Sequence, residues 1–118
     1  MSIPNWGWGL LAAVIAFVVV RSLLGASSSA GAEGEQWVAE GAVLVDVRTS
    51  QEFEQGHLEG AVNIPVQELE SRSAELDPKR PVVVYCQKGG RAGRAKTILE
   101  GKGFEKVLNG GGIGEWKR

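Results

Sequence analysis

Val82-Val83-Val84-Tyr85-Cys86-Gln87-Lys88-Gly89-Gly90-Arg91 is the stretch that decides the reading of this chain. Four β-branched or aromatic residues behind the breaker Pro81 predict a buried strand. A helical pattern follows at once. Ala92, Ala95, Ile98 and Leu99 fall on one face, while Arg94, Lys96, Glu100 and Lys102 lie elsewhere. The only cysteine therefore sits at a strand tip, in a glycine-containing loop, at the start of a helix. The first N–H groups of a helix have no intrahelical partner, and the macrodipole favours negative charge there. An oxygen, sulfur or phosphorus oxyanion is thus welcome beside Cys86. The same field stabilises a thiolate.

Outward from this stretch, strands and helices alternate. Ala42-Val43-Leu44-Val45-Asp46-Val47 is a continuous apolar run, of the kind buried on both faces in a parallel sheet. Thr49-Ser50-Gln51-Glu52 fits a capping box and predicts a short helix through Gln55, ended by Gly56, with Phe53 as its core anchor. Gly60-Ala61-Val62-Asn63-Ile64-Pro65 reads as a loop and a short strand, with Asn63 and Pro65 as turn chemistry. Val66–Arg72 reads as a helix with Leu69 inward, and a polar connector then leads to Pro81. The helix after Cys86 is expected to reach Lys102 and stop at Gly103. Lys106-Val107-Leu108 reads as the last strand, and Gly110-Gly111-Gly112 as a turn. Before all of these, residues 35–40 carry Trp37 and Val38 in a short helical turn stopped by Gly41. The alternation predicts an α/β domain with a largely parallel sheet. Ligands in such sheets sit beyond the carboxyl ends of the strands, where Cys86 falls.

Composition narrows the function. The chain has 118 residues, enough for one modest domain, and a net charge of −1. There is no basic excess, so nucleic-acid binding has no support. One cysteine excludes an intramolecular disulfide and leaves a free thiol. One histidine and no Cys/His cluster give no metal site, and no cofactor motif is present.

Residues 6–24 are almost wholly apolar, with Arg21 the only charge. At ~1.5 Å per residue they would make a helix of about 28 Å, close to the ~30 Å hydrocarbon core. Trp6 and Trp8 lie at one end, where indoles favour the interface. Arg21 lies near the other and can snorkel outwards. A single transmembrane helix is the expectation. The competing reading is a cleaved signal peptide, with Ala26, Ala30 and Ala32 as small residues for a peptidase. Residues 1–9, however, lack the Lys or Arg of such a leader. Arg21 on the carboxyl side places the following domain in the cytoplasm by the positive-inside rule, with a periplasmic domain as the alternative. Residues 25–34 are small and polar and read as a flexible linker that keeps the domain within roughly 20 Å of the bilayer. The residues beyond Arg21 hold all 14 acidic and 12 of the 13 basic side chains, so no polybasic surface clamps them to lipid.

Several stretches together resemble a single-domain rhodanese. They are Val45-Asp46-Val47-Arg48, Glu52-Phe53, Gly56-His57, Gly60-Ala61-Val62-Asn63-Ile64-Pro65, Cys86-x-x-Gly89-x-Arg91, Gly103-Phe104 and Leu108-Asn109-Gly110-Gly111. They stand in the family's order and spacing and place the domain at residues 35–118. The resemblance implies an α/β sandwich around a mostly parallel five-stranded sheet flanked by helices, with the transmembrane helix as an addition before it. It also implies sulfane sulfur transfer. The Cys86 thiolate would take the outer sulfur of thiosulfate or a related anionic donor, and cyanide or a thiol would remove it. Relatives that act on phosphate or arsenate carry one more residue in the loop. Four residues between Cys86 and Arg91 favour sulfur.

The chemistry assigns roles within this frame. Backbone N–H groups of Gln87, Lys88, Gly89, Gly90 and Arg91 can stabilise a thiolate or a persulfide. Lys88 adds positive charge for a dianionic donor, and the resemblance implies that Arg91 fixes the loop and its field and can reach substrate. Arg94, one turn further along the helix, either widens a positive mouth or is simply solvated. Asp46 and Arg48 read as a strand-end pair that supports loop backbone. His57 reads as a loop tether more than as a general base, since a thiolate held by amides needs none. Trp37 and Trp116 read as packing residues at the domain margins. Gly93 departs from the family in a helix interior and suggests close packing against a neighbouring strand. Three functions remain open: a thiosulfate sulfurtransferase, a persulfide carrier in sulfur trafficking, and a membrane-anchored module whose rhodanese fold serves docking without turnover. Oligomeric state is not legible.

Overall fold

The structure, a computed structural model, describes residues 29–117. Its centre is the strand Val82–Cys86, every residue of which is buried. Val82, Val84 and Cys86 point to one face and Val83 and Tyr85 to the other, as strand periodicity requires. An apolar residue at each step is what a strand covered on both sides needs.

Four strands form the sheet: β1 (Val43–Asp46), β2 (Val62–Asn63), β3 (Val82–Cys86) and β4 (Val107–Gly112). The order is β2-β1-β3-β4, and every pairing is parallel. Val43 lies opposite Val82 and Asp46 opposite Tyr85. The helices are α1 (Ala30–Ala39), α2 (Ser50–Gln55), α3 (Val66–Arg72) and α4 (Gly90–Gly101), and short 3-10 turns cover Ser73–Glu75 and Ile113–Glu115. One face of the sheet is covered by α3 and α4 through Leu69, Ala92, Ala95 and Leu99. On the other, Leu44, Val83 and Tyr85 pack with Trp116, Ile113 and the half-buried Trp37 and Val38 of α1. From β1 the chain goes out to β2, returns across β1 to β3 and continues to β4. The topological switch point therefore lies between the ends of β1 and β3, the usual place for a ligand crevice in an open parallel sheet.

Two expectations are corrected here. The sheet has four strands among the described residues, not five. The residues before β1 are helical: α1 starts after Ser29, whose hydroxyl accepts the Ala32 N–H at 3.1 Å, so nothing described remains to form a strand ahead of β1. For the same reason the flexible linker over residues 25–34 does not extend to its second half. Gly31 and Gly34 are buried contacts. A methyl on Gly31 would run into the Glu115 carbonyl, and one on Gly34 into the Trp116 indole. Small residues that allow a close helix contact look like a linker when only composition is read. Residues 6–24, expected as a transmembrane helix, lie outside the described residues. Among the described residues no helix is long and apolar enough to cross a membrane.

Other boundaries held or moved for local reasons. The capping box at Thr49 and the span of α3 are as expected. Strand β4 runs on through Gly110, Gly111 and Gly112, where the glycine run predicts a turn. Phe53 is not a core anchor, because α2 buries no residue; its ring stacks on His57 with centroids 3.7 Å apart. Gly93 has no close neighbour to accommodate: a methyl there would meet only the Asn109 Nδ2 at 3.5 Å.

Gly34 and Gly93 thus predict opposite outcomes. Gly34→Ala overpacks the Trp116 contact and should destabilise by about 1–3 kcal/mol. Gly93→Ala should stabilise by about 0.5–1 kcal/mol, because it removes a helix-interior glycine without a clash. Urea midpoints at unchanged m-value would measure both.

Candidate active site

Cys86 ends β3 and is 1% exposed. Its setting is built by an irregularity in the sheet. Val84 pairs with Asn109, but Cys86 pairs with Gly112, so two steps on β3 face three on β4. This is a β-bulge, a device that bends and twists a strand end. It brings the glycine run under the loop: a methyl on Gly112 would collide with the Gln87 carbonyl.

The loop then turns through Gly89, whose φ of +102° is a conformation that side-chain-bearing residues resist. Gly89 is the N-cap of α4 and has no side chain to cap it. The sulfur fills that role. Cys86 Sγ accepts the Gly89 N–H at 2.8 Å and the Ala92 N–H at 3.4 Å. A capping group normally accepts from the second or third helical N–H. Here the acceptor is the sulfur of Cys86, so the helix start and the thiol share the same hydrogen bonds. In the sequence Ala92 carries only the signal of a core-facing residue. The signal that could have found it was the glycine N-cap, which leaves an early helix N–H without a local acceptor.

Asp46 and Arg48 lie at the switch point and are buried, at 0% and 4% exposure. Arg48 Nη2 donates to Asp46 Oδ2 at 2.7 Å, and Nε donates to both carboxylate oxygens at 3.0 Å. The Arg48 backbone N–H also donates to Oδ1 at 2.9 Å. The guanidinium then reaches two loops: Nη2 donates to the Gly56 carbonyl at 2.7 Å and Nη1 to Gln87 Oε1 at 3.2 Å. The pair is therefore a bracket between the β1 end and the cysteine loop. The hydrogen bond to Asp46 raises the Arg48 pKa above its ordinary value.

Arg91 closes the loop from the other side. Its guanidinium is bidentate on Glu52, at 2.6 and 3.0 Å. Glu52 is also the third residue of α2 and completes the capping box, accepting the Thr49 N–H at 3.1 Å. One carboxylate thus ties the start of α2 to the start of α4, a second job that was not read from the sequence. Arg91, first of all, holds the Glu52 carboxyl down to about 2 from its ordinary 4.5. Since the folded value lies below the unfolded one, the pair stabilises fully above about pH 4.5 and is lost as pH falls toward about 2. Glu52→Gln should flatten the stability profile across that window, as urea midpoints at successive pH values would show. An equally steep profile in the variant would place the acid-sensitive group elsewhere.

The remaining expected residues fall as follows. Lys88 and Gly90 are exposed on the loop rim, and Arg94 is exposed on α4. His57 is exposed and lies against Phe53, its Nδ1 2.9 Å from the Phe53 carbonyl oxygen, a tether within the 53–57 segment. Trp116 is not marginal: it is buried and its Nε1–H donates to the Gly110 carbonyl at 2.8 Å, beneath the bulge. In the sequence Tyr85 carries only the signal of a strand residue. It is fully buried, its hydroxyl accepts the Leu58 N–H at 3.0 Å, and burial pushes its pKa up. No group of metal-ligating side chains occurs among the described residues.

A free thiol at a strand tip, capping a helix inside an arginine-braced loop, defines a class. The model of the rhodanese-like domain matches residues 31–118, and this chain belongs to that family. Among its relatives, the uncharacterized protein YqhL of Bacillus subtilis is 43% identical over 76 residues, 64% of this chain and 60% of that protein. The thiosulfate sulfurtransferase PspE of Escherichia coli is 41% identical over 71 residues, 58% of this chain and 68% of the relative. Among solved structures, a human single-domain sulfurtransferase is 31% identical with a TM-score of 0.62, covering 71% of this chain and 88% of that one.

Proposed function

We propose that this chain is a sulfurtransferase that carries sulfane sulfur as a persulfide on Cys86. The observation that carries the reading is the pair of backbone N–H groups, from Gly89 and Ala92, aimed at Sγ. They stabilise an anionic sulfur before and after loading without a separate base. The donor is thiosulfate or a related small anion. The thiolate attacks the outer sulfur, a new S–S bond forms, the bond to the SO3 group breaks, and sulfite leaves with that electron pair. A thiophilic acceptor, cyanide or a thiol, then attacks the terminal sulfur and returns the Cys86 thiolate. Relatives named as sulfurtransferases support this reading. Thiosulfate:cyanide turnover, followed as thiocyanate, tests it. Loading of one sulfur atom on Cys86 by intact mass without turnover would favour a persulfide carrier. Neither loading nor turnover would leave a docking module.

We also propose residues 6–24 as a single-pass membrane anchor, with the domain on the cytoplasmic side. Release of the full chain from membranes by alkaline carbonate would refute the anchor, and a reporter fused at the carboxyl end would test the side.

A further inference from the structure

One side chain joins the β4 bulge to the start of α4. Val84 and Asn109 are the last regular pair of β3 and β4 before the register slips. The half-buried Asn109 meets two backbone groups with its amide. Its Oδ1 accepts the Gly111 N–H at 2.9 Å, and its Nδ2 donates to the Gly89 carbonyl at 3.5 Å. This orientation is forced, because a backbone N–H only donates and a carbonyl only accepts. Both partners are glycines at positive φ, +76° for Gly111 and +102° for Gly89. They also lie against each other: a methyl on Gly89 would meet the Gly111 Cα at 3.7 Å. The contact with Gly111 is a local side-chain turn of the kind asparagine favours. The contact with Gly89 crosses to another element, 20 positions back along the chain.

Gly89 is the residue whose N–H reaches Cys86 Sγ at 2.8 Å. Its carbonyl is taken by the Gly93 N–H at 3.0 Å as well as by Asn109. Glycine has the widest choice of φ and ψ, so the direction of its N–H is set by whatever holds the rest of the residue. At 3.5 Å the Asn109 contact is long for a hydrogen bond, and its effect is on direction more than on binding strength.

We infer that Asn109 is a positioning residue for Cys86, holding Gly89 so that the N-cap N–H is aimed at the sulfur. The inference rests on the sulfur-transfer reading for its catalytic meaning. In that reading, a misdirected Gly89 N–H leaves the anionic sulfur, as thiolate or persulfide, with one donor fewer.

The test is a pH titration of the thiolate by its ultraviolet absorbance in the full chain, with the Cys86→Ser chain as blank. Cys86 is the only thiol, and burial pushes the pKa of Tyr85, the one tyrosine, up and out of the way. Asn109→Ser keeps a hydroxyl acceptor for Gly111, adds no charge and is too short to reach Gly89. Asn109→Asp also keeps the acceptor, but sets a carboxylate oxygen against the Gly89 carbonyl. The charged groups around the loop are the same in all three proteins: Asp46 with Arg48, Glu52 with Arg91, Glu115 on the Gly112 N–H, and the exposed Lys88 and Arg94. At a pH below the wild-type midpoint, the thiolate fraction should fall about threefold in Asn109→Ser and about tenfold in Asn109→Asp, the scale of a weakened hydrogen bond to a charged group. Full ionisation should return in both at higher pH, and thiosulfate turnover should follow the same displaced profile. An unmoved profile in Asn109→Ser at an intact urea midpoint would overturn the positioning role, even if Asn109→Asp moved, since added charge alone would explain the latter. If the wild-type chain does not turn over thiosulfate, the sulfur-transfer reading fails. The titration needs no donor, so it still decides whether Asn109 aims Gly89 at the sulfur.

Discussion

Cys86→Ser should lower thiosulfate:cyanide turnover by at least about a thousandfold, on the scale on which removal of a nucleophile acts. Cys86 is the only cysteine in the chain, so no second thiol can substitute. The hydroxyl fits the same space and can accept the same Gly89 and Ala92 N–H groups. It is a far weaker nucleophile at neutral pH, and it forms no persulfide. Stability should change by no more than about 1 kcal/mol, since one small buried acceptor replaces another. Thiocyanate production, intact mass after thiosulfate treatment and a urea midpoint together separate lost chemistry from lost structure. Retained turnover in this variant would remove Cys86 from the mechanism.

Asp46→Ala should destabilise the domain by about 3–5 kcal/mol, a large share of the ~5–15 kcal/mol that a small domain has. The carboxylate is fully buried and accepts three N–H groups of Arg48, one backbone and two side-chain. Without it, the guanidinium stays nearly enclosed with its main counter-charge gone. Arg48 would then swing or take up water, and its bonds to Gly56 and Gln87 would go with it. Activity should therefore fall further than stability alone explains. Removing both charges, as in Asp46→Val with Arg48→Leu, should recover much of the stability, because no unpaired ion is left, but not the activity. A urea titration of both variants beside turnover measures this. A cost below about 1 kcal/mol for Asp46→Ala would mean that the bracket does not organise this end of the sheet.

Much of this was legible because its causes are local. The strand through Val82-Val83-Val84-Tyr85, the capping box at Thr49 and the helix Val66–Arg72 each follow from residue types within a few positions. So does the placement of Cys86 between a strand end and a helix start. The strand-end pairing of Asp46 with Arg48 was legible for the same reason, as the two are separated by one residue.

What escaped the sequence involves partners far along the chain. Gly31 and Gly34 look like linker until Glu115 and Trp116 come to rest against them. The three glycines of β4 look like a turn until β3 is placed alongside and the register slips. Glu52 looks like a capping residue until Arg91, 39 positions later, arrives at its carboxylate.

By itself, then, the sequence determined most of the elements, the parallel α/β class and the placement of the one cysteine between a strand end and a helix start, because backbone propensity and apolar periodicity act over a few residues. Only the tertiary structure decided which N–H groups meet its sulfur and that Arg91 is held by Glu52. Those are matters of which groups pair after the chain has closed on itself, and pairing across the sheet is set by packing of distant segments.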